Sequence, residues 1–273
     1  MNIYGIQYDI AWEDRERNFR MIRDLLADAN PEPGSWVVLP EMFSTGFSFR
    51  VEKVAESEER PSERFLSELA RERKIHLVGG VVTRAADGRG LNQALVFGPD
   101  GVEWARYSKI HPFSFAGEDK HYASGDRPVV VATPDLRVCP MVCYDLRFPE
   151  AFRAATRVGV DLFVVIANWP VDRIGHWETL LQARAIENQA YVLGVNRIGD
   201  DPKLHYPGHS LWIDPKGVVL ERLVESAGVV RGTVQQDVLR DYRKAFPGLD
   251  DIHANLLGDE AMVLERSLDK GSR

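Results

Sequence analysis

Arg137-Val138-Cys139-Pro140-Met141-Val142 runs directly into Cys143-Tyr144-Asp145-Leu146-Arg147-Phe148-Pro149-Glu150, and the fold is read outward from this stretch. Val138 to Val142 has the apolar character of a strand. It gives way to polar residues and then to Pro149, placed where proline opens helices. A thiol at such a strand end, Cys143, can project into a cleft with free backbone N–H groups beside it. Glu41 ends another apolar run, Trp36-Val37-Val38-Leu39-Pro40, and Lys109 follows a third strand-like stretch. A carboxylate, an ammonium and a thiol on three strand ends could together form a nucleophilic site.

N-terminal to this stretch, Asn2 to Tyr8 reads as a buried strand, and Asp14 to Asn30 as an amphipathic helix with Phe19, Ile22, Leu26 and Ala29 at helical spacing. Pro61 opens a second helix that carries Phe65, Leu66 and Leu69. Strands are expected at Ile75 to Thr83, Gln93 to Phe97, Glu103 to Ser108 and Val129 to Ala132. On the C-terminal side come a helix from Pro149 to Arg157, an apolar strand from Leu162 to Ala167, and a helix from Trp177 to Asn188. Strands follow at Tyr191 to Asn196, Ser210 to Ile213, Val218 to Leu223 and Gly228 to Thr233, and a last helix begins near Val238. Paired strands recur between helices, which departs from strict βα alternation and suggests sheets covered by helices on one face only. Two such sheets stacked face to face give the expected α/β fold, a four-layer α-β-β-α sandwich. No internal linker is visible, so residues 1–273 are read as one domain with a short C-terminal extension from about residue 241. Its end, Leu268 to Arg273, reads as frayed.

The 273-residue chain is long enough to bury a sizeable core. Its hydrophobic fraction of 44% and charged fraction of 27% are ordinary for a folded protein. A formal charge of −7 argues against nucleic acid or an anionic membrane as the main partner. No run approaches the roughly eighteen apolar residues of a membrane span, and Met1 to Ile10 lacks the features of a signal peptide. Only Cys139 and Cys143 are present, with strand-like residues between them, which makes a disulfide framework unlikely and a reducing, cytoplasmic setting the expectation.

Cys143 taken alone has two readings. It can be a small buried hydrophobe, or a nucleophile supplied with a base and a positive neighbour. Glu41 and Lys109 are equally ordinary in isolation, since charged residues usually lie on solvated surfaces. Gly208-His209-Ser210 starts like a serine elbow, but Trp212 stands where the closing glycine should be. His205 and His209 flank Pro207-Gly208, which denies them a shared helical face, and no metal-ligand pattern emerges.

Leu39-Pro40-Glu41-Met42-Phe43, Tyr107-Ser108-Lys109-Ile110-His111 and Cys143 to Glu150, taken in this order, resemble the Glu-Lys-Cys signature of the nitrilase (carbon–nitrogen hydrolase) superfamily. Gly79-Gly80, Asn92, Asn168-Trp169-Pro170 and Ala183 to Asn188 fall where that family has its equivalents, so the likeness spans roughly Asn2 to Asp241. The resemblance implies that Cys143 attacks an amide carbonyl, that Glu41 handles protons, and that Lys109 and the Tyr144 N–H hold the oxyanion. Glu118 stands where many members carry a second glutamate, and would orient Lys109 and the amide. No cofactor or metal is implied.

Lys109 to Glu118 with Tyr122 to Asp126, and Asn168-Trp169-Pro170 with Arg173, His176 and Trp177, are similar to the omega-amidases. Those hydrolyse the terminal amide of 2-oxo dicarboxylic acid monoamides such as 2-oxoglutaramate and 2-oxosuccinamate. The deaminated glutathione amidases, which share the Cys-Tyr-Asp-Leu-Arg-Phe-Pro-Glu string, are the alternative. Such a small-molecule amide carries a carboxylate, for which Arg173 is the first candidate and Arg147 the second; Arg147 is expected to pair with a buried acid and brace the turn. Phe47, Phe115, Tyr144 and Trp169 are the expected walls. The resemblance also implies a homodimer. The sequence also admits two readings outside hydrolysis: an inactive binding protein of the same fold, or a redox sensor with Cys139 as resolving thiol. The latter is disfavoured, since four extended residues span roughly 13 Å.

Overall fold

The computed structural model describes residues 1–256 and 261–266, so the end expected to fray, Leu268 to Arg273, lies outside the described residues. In chain order the strands are β1 (Asn2–Gln7), β2 (Trp36–Val38), β3 (His76–Arg84), β4 (Gly90–Phe97), β5 (Glu103–Ser108), β6 (Val129–Ala132), β7 (Arg137–Val142), β8 (Leu162–Ala167), β9 (Tyr191–Asn196), β10 (Ile198–Asp200), β11 (His205–Ile213), β12 (Val219–Val224), β13 (Gly228–Thr233) and β14 (Met262–Glu265). The helices are α1 (Arg15–Ala29), α2 (Val51–Val54), α3 (Pro61–Arg73), α4 (Pro149–Thr156), α5 (Ile174–Asn188) and α6 (Gln236–Ala245). One sheet has the order β13-β1-β2-β3-β4-β5. The other runs β10-β11-β9-β8-β7-β6-β14, with β12 paired to β11.

Alternation along each strand sorts side chains into layers. Trp36, Val38, Val78, Ala94 and Val96 of the first sheet pack into the core shared with the second, whereas Val37, Leu77 and Leu95 pack against Ile22 and Leu26 of α1 and Phe65, Leu66 and Leu69 of α3. The shared core continues through Val164 and Leu193 to Phe152 and Ala155 of α4 and Trp177, Leu181 and Ala185 of α5. The result is the four-layer α-β-β-α sandwich. At Gly5 the two sheets come so close that a Cβ would lie 2.9 Å from the Val195 side chain.

Helix ends follow local chemistry. Asp14 caps α1 by accepting from the Arg17 N–H at 3.0 Å, and Pro61 begins α3. The short elements α2, β10 and β14 have no counterpart among the sequence expectations. α5 starts at Ile174 rather than Trp177, without a side-chain cap to mark it. β11 starts at His205 rather than Ser210; its first three residues, His205 to Pro207, pair with the three residues of β10. Its pairing with β12 is shifted between Gly208 and Ser210, where Gly208 and His209 both have positive φ. Among the described residues no helix is long and apolar enough to cross a membrane.

Candidate active site

β7 ends at Val142, and Cys143 takes a φ of 49°, in the left-handed region that few residues other than glycine enter. A 3-10 turn, Cys143–Arg147, then leads into α4 at Pro149. This reversal turns the thiol from the strand towards a cleft, where Sγ lies 3.9 Å from the Asn168 carbonyl oxygen. Burial pushes the Cys143 pKa well above its usual range and Glu41 adds to the rise, while Lys109 opposes it.

Glu41 sits in a turn beyond β2, beside Met42 at φ 46°. The turn lies against Gly80, where a Cβ would be 2.5 Å from the Met42 nitrogen and 2.6 Å from the Glu41 Cα. The Gly79-Gly80 pair in β3 is thus explained at its second residue by backbone approach. The Glu41 carboxylate is fully buried. It accepts from Asn92 Nδ2 at 2.7 Å, from the Asn168 backbone N–H at 2.8 Å, from Asn168 Nδ2 at 3.1 Å and from Lys109 Nζ at 3.3 Å. Buried carboxylates are tolerated only with such partners.

Lys109 follows β5 and is 1% exposed. Its Nζ donates to both oxygens of buried Glu118, at 2.8 and 3.0 Å. Burial alone would lower the Lys109 pKa, but Glu118 and then Glu41 outweigh it and hold the ammonium well above its ordinary value. Phe113 N–H and Asn92 Nδ2 also donate to Glu118. Asn92 therefore bridges the two carboxylates, while Lys109 lies between them.

These groups open on a cleft lined by Glu41, Lys109, Cys143 and Asn168 at its polar end. Phe47, Tyr144, Trp169 and Arg173 line it, with Phe113, Ala116, Arg147, Pro170, Leu204 and Tyr206. Phe115 does not. It is 86% exposed on the 3-10 turn Ser114–Ala116, beside cleft-lining Phe113 and Ala116. Residues three apart in such a turn share a face, and Phe115 falls off that face.

The expectation for Arg147 is also corrected. It has no acidic partner among the described residues; it faces the cleft, donates to His176 Nδ1 at 3.2 Å and lies over the Trp169 ring, 5.0 Å from its centroid. The turn is instead held by Arg184, whose Nε and Nη2 donate to the Leu146 carbonyl, and by the buried Asp145 carboxylate. Trp169 is fixed from behind by Asn196, which accepts from its backbone N–H at 2.7 Å and donates to its carbonyl at 2.9 Å. Ser210 belongs to this support, donating to Gln7 Oε1 and accepting from the Asn196 N–H. His205 and His209 have separate partners, Asp200 and Glu178. Asn92 and Asn168 were within the quoted motifs, but Leu204 and Tyr206 reach the cleft through the β10–β11 hairpin and carried no sequence signal.

Buried carboxylates, a lysine and a thiol at strand ends of an α-β-β-α sandwich define a class of thiol-bearing hydrolase folds. The chain belongs to the carbon-nitrogen hydrolase family, whose pattern matches residues 5–244. It is 38% identical to the omega-amidase YafV of Yersinia enterocolitica, over 92% of this chain and 96% of that protein. It is likewise 38% identical to the 2-oxoglutaramate amidase of Paenarthrobacter nicotinovorans, over 88% and 85% of the two chains. A CN-hydrolase superfamily protein of Xanthomonas campestris, crystallised with an arsenic adduct in its active site, superposes with a TM-score of 0.87. It is 34% identical, with 94% of this chain and 99% of that one covered.

Proposed function

We propose that this protein is a thiol amidase that hydrolyses the terminal amide of 2-oxo dicarboxylic acid monoamides, of the 2-oxoglutaramate and 2-oxosuccinamate type, to the 2-oxo acid and ammonia. The observation that carries the reading is the convergence of Glu41, Lys109 and Cys143, from three separate strand ends, on one largely apolar cleft. Glu41 takes the thiol proton as Cys143 attacks the amide carbon. The resulting oxyanion is held by Lys109 Nζ and the Tyr144 N–H. Collapse breaks the C–N bond, and Glu41 returns the proton so that ammonia leaves. Glu41 then deprotonates a water that attacks the thioester, releasing the acid and restoring the thiol. Glu118 keeps Lys109 in place.

The substrate class rests on the two cations at the cleft. Neither Arg147 nor Arg173 has a carboxylate partner among the described residues, and each lies over an aromatic ring, Arg173 at 5.3 Å from the Phe113 centroid. Guanidiniums held this way suit the carboxylate of a short oxo acid, with Phe47, Tyr144 and Trp169 against its chain. Arg173→Ala should lower kcat/KM for 2-oxoglutaramate about tenfold or more while sparing a neutral amide of similar length, as expected for a charged hydrogen bond. Equal losses on both substrates would give Arg173 a structural role instead.

The chain is taken to act as one domain, in the cytoplasm and as a homodimer. Exposed Ile186, Val218, Leu220 and Val238 around α5, β12 and α6 support the dimer, since apolar side chains in such numbers favour burial against a second copy. Sedimentation equilibrium giving a monomer at micromolar concentration would contradict it.

A further inference from the structure

The cleft is assembled from two sheets, and the groups on either side of it must be held in register. Glu41, from the first sheet, is tied to the second by Asn168, which follows β8. Lys109 also comes from the first sheet, and among the described residues its side-chain bonds run to Glu41 and Glu118. Those bonds reach the second sheet through Glu41 and Asn168 at the end of β8, not through β7, whose end carries Cys143.

Asp145, two residues after the thiol and fully buried, makes the missing connection. Its Oδ2 accepts from the Tyr107 hydroxyl at 2.7 Å and from the Val142 N–H at 3.2 Å. Its Oδ1 accepts from the His111 N–H at 2.9 Å and lies 2.8 Å from His111 Nδ1. Tyr107 and His111 stand two residues before and two residues after Lys109; Val142 immediately precedes Cys143. A single carboxylate thus ties both flanks of Lys109 to the strand end that bears the nucleophile. The geometry calls for an acceptor at every contact, with Nδ1 of His111 carrying a proton, and a carboxylate meets that demand where an amide cannot. His111 is itself locked by stacking on Phe148 at 3.7 Å, with ring planes 6° apart. Phe148 N–H in turn donates to the Asp145 carbonyl at 3.0 Å.

We propose that Asp145 is a positioning residue for the reaction, setting the distance between Lys109 and Cys143 through Tyr107 and His111. It touches neither substrate nor the reacting atoms. The proposal rests on the thiol amidase reading only for its turnover assay, because the position of Lys109 also governs how readily Cys143 ionises without substrate.

Two variants test it. Asp145→Asn removes an acceptor; Tyr107→Phe removes one donor and leaves every charge in place. For each, the rate and final extent of Cys143 alkylation by iodoacetamide at about pH 8 are followed by peptide mass mapping, and turnover of 2-oxoglutaramate is expressed per alkylatable site. Asp145→Asn should reach the wild-type extent of labelling at a rate several-fold lower. Its kcat per site should fall about a hundredfold with KM within twofold, as a displacement of about an ångström can cause. Tyr107→Phe should move the same way, about three- to tenfold, and it carries the test if Asp145→Asn does not fold. A purely structural role would lower the melting temperature or the labelled fraction but leave the labelling rate and the turnover per site at wild-type values, and would overturn the proposal. Absence of turnover by the wild-type protein would count against the substrate reading alone, and the labelling rates would still decide the role of Asp145.

Discussion

Lys109 and Cys143 are shifted in the same direction, with opposite consequences. A raised lysine pKa keeps the ammonium, so its pairing with Glu118 and Glu41 is fully present below the ordinary lysine value of about 10.4 and is lost only as pH rises through the elevated one. A raised thiol pKa keeps Cys143 neutral at rest. Its alkylation rate should therefore still be climbing beyond about pH 8.5, where an ordinary thiol is half ionised; a plateau by about pH 8 would contradict this. Glu118→Gln should lower kcat about tenfold to a hundredfold, because Lys109 loses the partner that contributes most to its charge, and steady-state kinetics would show it. A wild-type kcat in that variant would remove Glu118 from the account. Residue identities at the polar end of the cleft were legible because their short motifs recur in order. Phe115 and Arg147 were misread for want of two things a sequence does not state, the phase of a 3-10 turn and the presence of Arg184 at the Leu146 carbonyl.

Elements were legible in proportion to their length and periodicity. α1, α3 and the long strands of both sheets carry enough apolar positions to declare themselves, whereas α2, β10 and β14 have four residues or fewer, too few for any period. β10 nevertheless matters, because its hairpin with β11 brings Tyr206 to the cleft. The β3 glycines offer a test at this scale. Gly80→Ala should keep the sheet signal in circular dichroism yet lower kcat at least tenfold, since its Cβ meets the backbone of the turn that presents Glu41. Gly88, whose Cβ would meet nothing within 4 Å, is the control, and Gly88→Ala should leave kcat unchanged at a modest cost in stability from its positive φ. Equal effects of the two substitutions on kcat would refute the role given to the Gly80 contact.

At the scale of the molecule, the cleft exists only because the sheets stack. Glu41 and Lys109 come from the first sheet, Cys143 and Asn168 from the second, and Asn168 and Asp145 join them. Such cross-sheet contacts join residues far apart in the chain, which is why Glu41, Lys109, Cys143 and Glu118 could be listed from the sequence while the cross-sheet roles of Asn168 and Asp145 could not. Hydrolysis by the Cys143 thiol is the central claim, and ammonia release from 2-oxoglutaramate tests it most directly. Wild-type protein should release ammonia stoichiometrically with 2-oxoglutarate, while Cys143→Ala, folded by circular dichroism, should release none above the uncatalysed rate. Equal release by the two proteins would contradict it.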